Sequence, residues 1–466
     1  MRGVPASGYK GCAIFLLVTF LSSVGFGQQK WVRLIAMGGT TANQDIGYSV
    51  KPTVDGGYVL TGIGTTQAFL IKLNGSGDIV WTKTLADNAN GLNVELCSDG
   101  GYIIAGYTTT DYLNQNPVLI KTNSTGDVVW SNVLTSNPYH DGFLSVAVNP
   151  DNSFTAAGYT HDGSGNYDIL VAKFDAQGNL IWQRIHNLPW TGCVDRSSTI
   201  QRTQDGGYIV ITHALVNYMD WDYVLLKTDA SGNAQWLKYY GTTGVDSIER
   251  CFDGCVTNDQ GYIMIGRKGR YTPDVFGYVI KTNSNGDTLW SRLYKIGVPD
   301  WQASYTSMSI RQTNDLGYIL TSSALLMRIG ANGDSIWSQS FSNYYARLYS
   351  VEPTSDGGYV IAGTGRLLPN PRDVFVAKTD SLGNTAVAED WRPGLIGSGY
   401  QATPNPFVSF TTIPNYEKEV FTIYDASGRS MGISYGARVG EDLCPGVYFL
   451  CPKQNPGHIV RIVKVR

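Results

Sequence analysis

Short apolar runs alternate with polar, glycine-rich breaks along most of the chain. The stretch 93–134 shows the pattern in full. Asn93-Val94-Glu95-Leu96 alternates polar and apolar positions, as a half-buried strand does. Asp99-Gly100-Gly101 then breaks the run with a tight turn, because glycine takes positive φ without steric cost. Residues 102–106, 118–122 and 128–134 are three further apolar-rich runs, the last two joined by the turn Asn123-Ser124-Thr125-Gly126-Asp127. Four antiparallel strands with short turns predict one blade of a β-propeller.

The unit recurs. Asp55-Gly56-Gly57-Tyr58, Asp205-Gly206-Gly207-Tyr208 and Asp356-Gly357-Gly358-Tyr359 repeat it. Asp151-Asn152-Ser153-Phe154, Asp259-Gln260-Gly261-Tyr262 and Asp315-Leu316-Gly317-Tyr318 are looser copies. The seven copies lie 41 to 56 residues apart, a period that points to a solenoid or a propeller. Turns at 74–78, 175–179, 229–233, 283–287, 330–334 and 380–384 share the glycine of 123–127. They lack the twelve-residue ligand series of a calcium loop, so they read as hairpin turns.

Tryptophans decide how the ring closes. Trp81, Trp130, Trp182, Trp236, Trp290 and Trp337 each follow a turn glycine by four residues, whereas the last repeat has Val387 there. Trp31-Val32-Arg33-Leu34-Ile35 matches the missing strand in pattern. The expected fold is therefore all-β. A seven-bladed β-propeller spans 28–390 and is closed by its N-terminal strand. A connector at 391–402 leads to a small β-sandwich-like domain at 403–466.

The innermost strands carry Ser49, Ser145, Ser309 and Ser350, small side chains suited to a crowded centre. Third strands carry Lys72, Lys121, Lys173, Lys227, Lys281, Arg328 and Lys378, expected to pair or reach solvent rather than to ring an anion.

Residues 1–27 do not belong to this fold. Arg2 and Lys10 precede an apolar run from Ala13 to Val24, and Gly25-Phe26-Gly27 closes it. That is the pattern of a cleaved secretory signal peptide, and the run is short for a membrane span. No transmembrane segment is expected in the mature chain. A formal net charge of −3 and 16% charged residues give no basic excess for nucleic acid. The cysteines after residue 27 (Cys97, Cys193, Cys251, Cys255, Cys444 and Cys451) have no zinc spacing and read as isolated thiols. No cofactor and no metal are expected.

The tail resembles the C-terminal sorting domain (type A) carried by cargo of the type IX secretion system. The residues that carry the resemblance are Pro404-Asn405-Pro406-Phe407, Ile423-Tyr424-Asp425-Ala426-Ser427-Gly428-Arg429, Leu443-Cys444-Pro445-Gly446-Val447-Tyr448-Phe449 and Lys464-Val465-Arg466. The resemblance implies Pro404, Asn405, Pro406, Gly428, Gly446, Tyr448 and Lys464 as sorting residues. It also implies the type IX machinery as partner and an address outside the outer membrane, secreted or on the cell surface. The repeats resemble the Asp-Gly-Gly-Tyr propellers of many exported bacterial proteins, which implies a fold and no activity.

In a four-stranded blade the turns between strands one and two and between three and four lie on one face. The connections at 108–116, 135–142, 160–167, 186–195, 213–221, 267–276, 299–304 and 365–372 lie on the other, and they vary in length as binding loops do. Trp190, Trp221, Trp301, Tyr112, Tyr139, Tyr218 and Tyr271 fall on this loop face. Two readings stand for them: stacking on sugar rings, or capping the blade cores. Asp162, Asp168, Asp220, Asp222, Asp274 and Asp300 share the face.

The five histidines show no ligand spacing, and no nucleophile elbow or phosphate loop occurs, so no catalytic residue is expected. The expected function is binding or adhesion, with polysaccharide as the candidate ligand. The alternatives are a secreted glycan-active hydrolase or lyase using loop-face carboxylates, and a scaffold for partner proteins. Two converging acids would favour the enzyme.

Overall fold

The recurrent Asp-Gly-Gly-Tyr turn forms because its first glycine supplies positive φ, +80° at Gly100. Its aspartate accepts the backbone N–H two residues on, as Asp99 Oδ1 does from Gly101 at 2.9 Å. In the computed structural model the described residues are 30–37, 44–65, 67–111, 114–135, 140–188, 199–217, 220–242, 248–269, 276–295, 308–367, 372–385, 388–391, 402, 404–414, 416–425, 429–453 and 460–465.

Six four-stranded antiparallel sheets follow one another between Ile46 and Ser340, each running in chain order from inner to outer strand. A seventh sheet takes Arg347–Pro353, Tyr359–Gly365 and Asp373–Thr379, and its fourth strand is Trp31–Ile35. Trp31 lies opposite Lys378 there, as Trp81 lies opposite Lys72 and Trp130 opposite Lys121. The N-terminal strand thus takes the expected place and register. Ala388–Trp391 adds a fifth strand, parallel to Trp31–Ile35, which the repeat pattern does not foretell.

Two circular sets of contacts join neighbouring blades. On the inner strands, a side-chain oxygen of one blade accepts a backbone N–H of a neighbouring blade. Ser49 accepts from Val94 at 3.3 Å, Ser309 from Val351 at 3.4 Å and Ser350 from Val50 at 3.3 Å, the last of these closing the circle. A serine reaches that N–H without filling the channel. On the outer strands, each tryptophan packs on the next blade's Tyr or Phe from the Asp-Gly-Gly-Tyr motif. Trp81–Tyr102 has ring centroids 6.1 Å apart, and the closing pair Trp31–Tyr58 has them 5.5 Å apart. The indole also lies on the hairpin glycine of that next blade. A Cβ at Gly77 would stand 2.5 Å from the Trp31 ring, which leaves no room for any other residue.

The third-strand bases are not a ligand ring. Each pairs with the aspartate of its own blade's motif: Lys72 with Asp55 at 2.8 Å, Lys121 with Asp99 and Lys227 with Asp205 at 2.7 Å, and Lys281 with Asp259 and Lys378 with Asp356 at 2.8 Å. Arg328 pairs with Asp315 in the same way. These basic side chains are buried. Each lysine in this set also donates to the carbonyl of the next residue, as Lys121 does to Thr122 at 2.8 Å. An exposed carboxylate alone adds little to such a pair; the gain is that a buried ammonium keeps its donors satisfied. The motif's second glycine makes room for it. A Cβ at Gly101 would lie 2.1 Å from Thr122 O and 2.7 Å from Lys121 Nζ.

The turn-face end of the centre is stopped by charge. Lys51 bridges Glu95 and Glu352, both at 2.9 Å. Arg311 bridges Glu352 at 2.9 Å and Asp253 at 2.6 Å. Five inner strands meet in this network.

The last sheet orders its strands Ser430–Tyr435, Val420–Asp425, Gly446–Pro452, Val460–Lys464. Phe421, Ile423, Tyr448, Leu450 and Ile462 share one core with Phe407, Ile413 and Val439. The latter three sit on irregular chain tied down by bridges from Phe407 to Lys464 and from Thr411 to Val439. The result is sandwich-like, with an irregular second layer. Cys97, Cys255 and Cys444 are free thiols. Among the described residues no helix is long and apolar enough to cross a membrane.

Candidate functional site

Topology puts the ends of the second and fourth strands of every blade, and the starts of the first and third, on the loop face. Several of the expected loops there are strand. In the second blade Tyr102–Asp111 and Asn114–Thr122 pair as far as Asp111 and Asn114. In the fourth, Tyr208–Asn217 and Asp220–Thr228 pair as far as Asn217 and Asp220. Threonine-rich and aromatic segments favour such extension, which a polar reading of the same residues misses.

This extension places Asp220 and Asp222 on one strand, two residues apart and so on the same side of it. Glu249 opens the innermost strand of the next blade, Glu249–Val256. One oxygen from each of the three carboxylates lies within 4.8 Å of the others. Glu249 is fully buried. Its Oε1 accepts from Lys268 at 2.7 Å and from Thr242 at 2.8 Å, while its Oε2 has no partner among the described residues. Asp222 Oδ1 is likewise buried without a partner. Gly241 leaves it space, since a Cβ there would stand 1.7 Å from that oxygen.

Burial, then the charges of Asp220 and Glu249, push the Asp222 carboxyl up to about 6, with Lys268 pulling the other way. Three oxygens this close suit a hard divalent cation, which takes carboxylates at about 2.3–2.6 Å if it is calcium. They are closer than the paired acids of glycosidases, which stand about 5–5.5 Å apart in retaining enzymes and farther in inverting ones.

Trp221 stands between these acids in sequence but not in role. It is buried, with the Arg250 guanidinium 4.1 Å over its ring and the His213 ring at 5.2 Å. His213 is itself fully buried, with Nδ1 2.6 Å from Cys251 O. In this arrangement Trp221 packs the seam between two blades, and Arg250 occupies the face a sugar would use. Trp190, Trp301, Tyr112, Tyr139, Tyr218 and Tyr271 lie outside the described residues, as do Asp274 and Asp300.

Asp162 is exposed and spends its carboxylate on its own turn, bonding Ser164 and Asn166. Asp168 accepts from Leu188 N at 3.0 Å, and burial raises its pKa. The structure therefore brings together Asp220 and Asp222 and leaves Asp162 and Asp168 apart from them. Glu249 and Arg250 went unread in the sequence, because nothing local marks the first residues of a strand as neighbours of another blade.

In the last domain, Asn405 Oδ1 accepts from Val463 N at 2.8 Å and Tyr448 donates to Cys444 O at 2.8 Å. Lys464 is buried and donates to Gly440 O at 2.9 Å and Glu441 O at 2.7 Å. Pro404, Pro406 and Gly446 belong to the same tied-down segments, and Gly428 lies outside the described residues.

No protein-family model matches the chain, and no curated protein matches it. Solved structures with a similar fold include the WD40 domain of Neurospora crassa Pan2, at 10% identity and a TM-score of 0.44, covering 78% of this chain and 99% of that one. A protein of unknown function from Dyadobacter fermentans is 8% identical, with a TM-score of 0.42 and coverage of 75% and 97%. The polysaccharide lyase Uly1 is 11% identical, with a TM-score of 0.45 and coverage of 78% and 94%. These likenesses concern the fold alone.

Proposed function

We propose that the protein is a secreted or cell-surface binding module that takes polysaccharide on its loop face and leaves the cell through its C-terminal domain. The contrast between the two faces carries this reading. On the turn face, near-identical turns consume their own charges, and the Lys51–Glu352–Arg311–Asp253 network stops the centre. On the loop face, connections differ from blade to blade, and charged groups such as Asp222 keep buried atoms without a hydrogen-bond partner among the described residues. A repeat protein that varies one face only has that face for recognition.

A glycan-array screen of the mature chain, with product analysis of every hit, tests the reading. Binding without turnover, lost in a Trp190→Ala/Trp301→Ala variant, supports it. No binding to any glycan removes it and favours a protein scaffold. Export rests on the resemblance of residues 403–466. Deleting them should retain the chain inside the outer membrane, and normal release of that deletion would remove this part.

A second reading, a glycan-active enzyme, is favoured by the Asp222 carboxyl, which burial and the charges of Asp220 and Glu249 raise to about 6, where a general acid or base can work. Turnover of a bound glycan that is lost in Asp222→Asn would establish it.

A further inference from the structure

The acids between the fourth and fifth blades hold two oxygens that the fold does not use. An isolated parallel bridge pairs Trp221 with Ile248. It sets Asp220 and Asp222, on either side of Trp221, beside Glu249, which follows Ile248. One oxygen from each carboxylate lies within 4.8 Å of the other two.

The repeat shows how acids at these positions serve the fold elsewhere. Glu249 stands ten residues before its motif aspartate Asp259, as Asp45 stands before Asp55 and Asp141 before Asp151. Asp45 and Asp141 each accept the backbone N–H twenty residues on, from Thr65 at 3.3 Å and from His161 at 2.9 Å. The matching N–H of the fifth blade, at Gly269, donates to Ile248 O at 3.1 Å instead. Glu249 is thus released from that task. It is 0% exposed, and its Oε2 has no hydrogen-bond partner among the described residues.

Asp222 departs from its counterpart in the same way. Asp168, five residues before Lys173 as Asp222 is before Lys227, accepts from Leu188 N at 3.0 Å. Asp222 Oδ1 is buried with no hydrogen-bond partner among the described residues, and Gly241 keeps the space around it clear. The bases nearby stop short of these two atoms. Lys268 bonds the other oxygen of Glu249 at 2.7 Å, and the Arg250 guanidinium is stacked over the Trp221 ring.

A buried carboxylate oxygen is costly unless a donor or a cation answers it. Here two lie together with a third carboxylate against them. Oxygens that share one calcium-like ion stand about 3–5 Å apart, which is the spacing of this cluster. We propose that Asp222 and Glu249, with Asp220, form a site for a hard divalent cation such as calcium, which ties the third strand of the fourth blade to the inner strand of the fifth. The unanswered oxygens of Asp222 and Glu249 carry the proposal, whatever else Asp220 bonds. It stands apart from the polysaccharide reading, since it needs no glycan.

The test is a titration of the full mature chain, first stripped with a chelator, with calcium, magnesium and manganese chlorides in turn, followed by calorimetry and by melting. At least one cation should bind with a Kd of about 1 mM or tighter and raise the melting temperature, and the one preferred identifies the ion. Asp222→Asn and Glu249→Gln keep the side-chain shapes and should each weaken that binding about tenfold or more. Without metal, Asp222→Asn should melt at or above the parent, because one of three like charges is gone. With the cation saturating, the order should reverse, which a residue that merely packs would not do. Asp168→Asn, in the third blade, should leave the cation affinity unchanged. A parent that binds none of the three cations overturns the site, as does cation binding that both Asp222→Asn and Glu249→Gln retain.

Discussion

Lys173 stands 3.7 Å from Asp151, whereas Lys121 stands 2.7 Å from Asp99. The cause is one residue. Blade three has Ser153 where the other six motifs have glycine, so a side chain occupies the space the ammonium takes elsewhere. Ser153 accepts from Asn149 at 3.0 Å and donates to Asp151 at 2.5 Å, which replaces part of the lost pairing. Gly101→Ser should therefore destabilise the protein by about 2–3 kcal/mol, through a clash with Thr122 O and displacement of Lys121. Ser153→Gly should be close to neutral. Denaturant melts of both variants measure the difference.

Closure of the ring gives a second expectation. Trp31 is buried, packs on Tyr58 and donates to Gly75 O at 3.0 Å. Trp31→Ala should cost about 3–5 kcal/mol, comparable to Trp130→Ala in mid-chain. Deleting residues 28–36 should lower the melting temperature of the whole ring rather than release one blade. A deletion that melts like the parent would mean that the clasp does not hold the ring.

The left-handed position of the motif offers a stabilising change. Leu316 has φ +66° and is half exposed, where the tight copies have glycine. Leu316→Gly should stabilise by about 1 kcal/mol by removing backbone strain at little packing cost. Its thermal melt against the parent decides the sign.

Acid should open the turn face. Burial raises the Asp55 pKa, but hydrogen bonds from Lys72 and Thr53 outweigh it and hold the carboxyl at about 2. Asp205, bonded by Lys227 and Thr203 against the same burial, also lies at about 2. The unfolded chain takes up these protons first, near pH 4. The stability they contribute is therefore full above about pH 4 and is lost as pH falls toward 2. Each carboxylate is more than half exposed, so each contributes less than about 1 kcal/mol. The repetition makes the acid transition steep, and Asp55→Asn/Asp205→Asn should make it shallower in a pH-jump unfolding titration.

Architecture was legible because it is written seven times. The Asp-Gly-Gly-Tyr and turn-glycine-to-tryptophan spacings are local, and their failure at Val387 pointed to Trp31. The acidic cluster of the loop face is written once. Glu249 meets Asp222 only because one blade's inner strand begins beside its neighbour's third strand. Trp221 read as a loop aromatic because the residues around it are polar, yet the strand simply continues and carries it into the seam beneath Arg250.

The strand Trp31–Ile35 is made first and finds its partner, Asp373–Thr379, some 340 residues later. Until then it is an open edge, and so is the flank of the first blade that Trp31 covers. A chain cut short anywhere before the last blade keeps both edges exposed, whatever the quality of its finished blades. The clasp therefore acts as a completeness check on synthesis: only a whole chain can hide its edges, and an interrupted one presents the surface that proteases and aggregation act on.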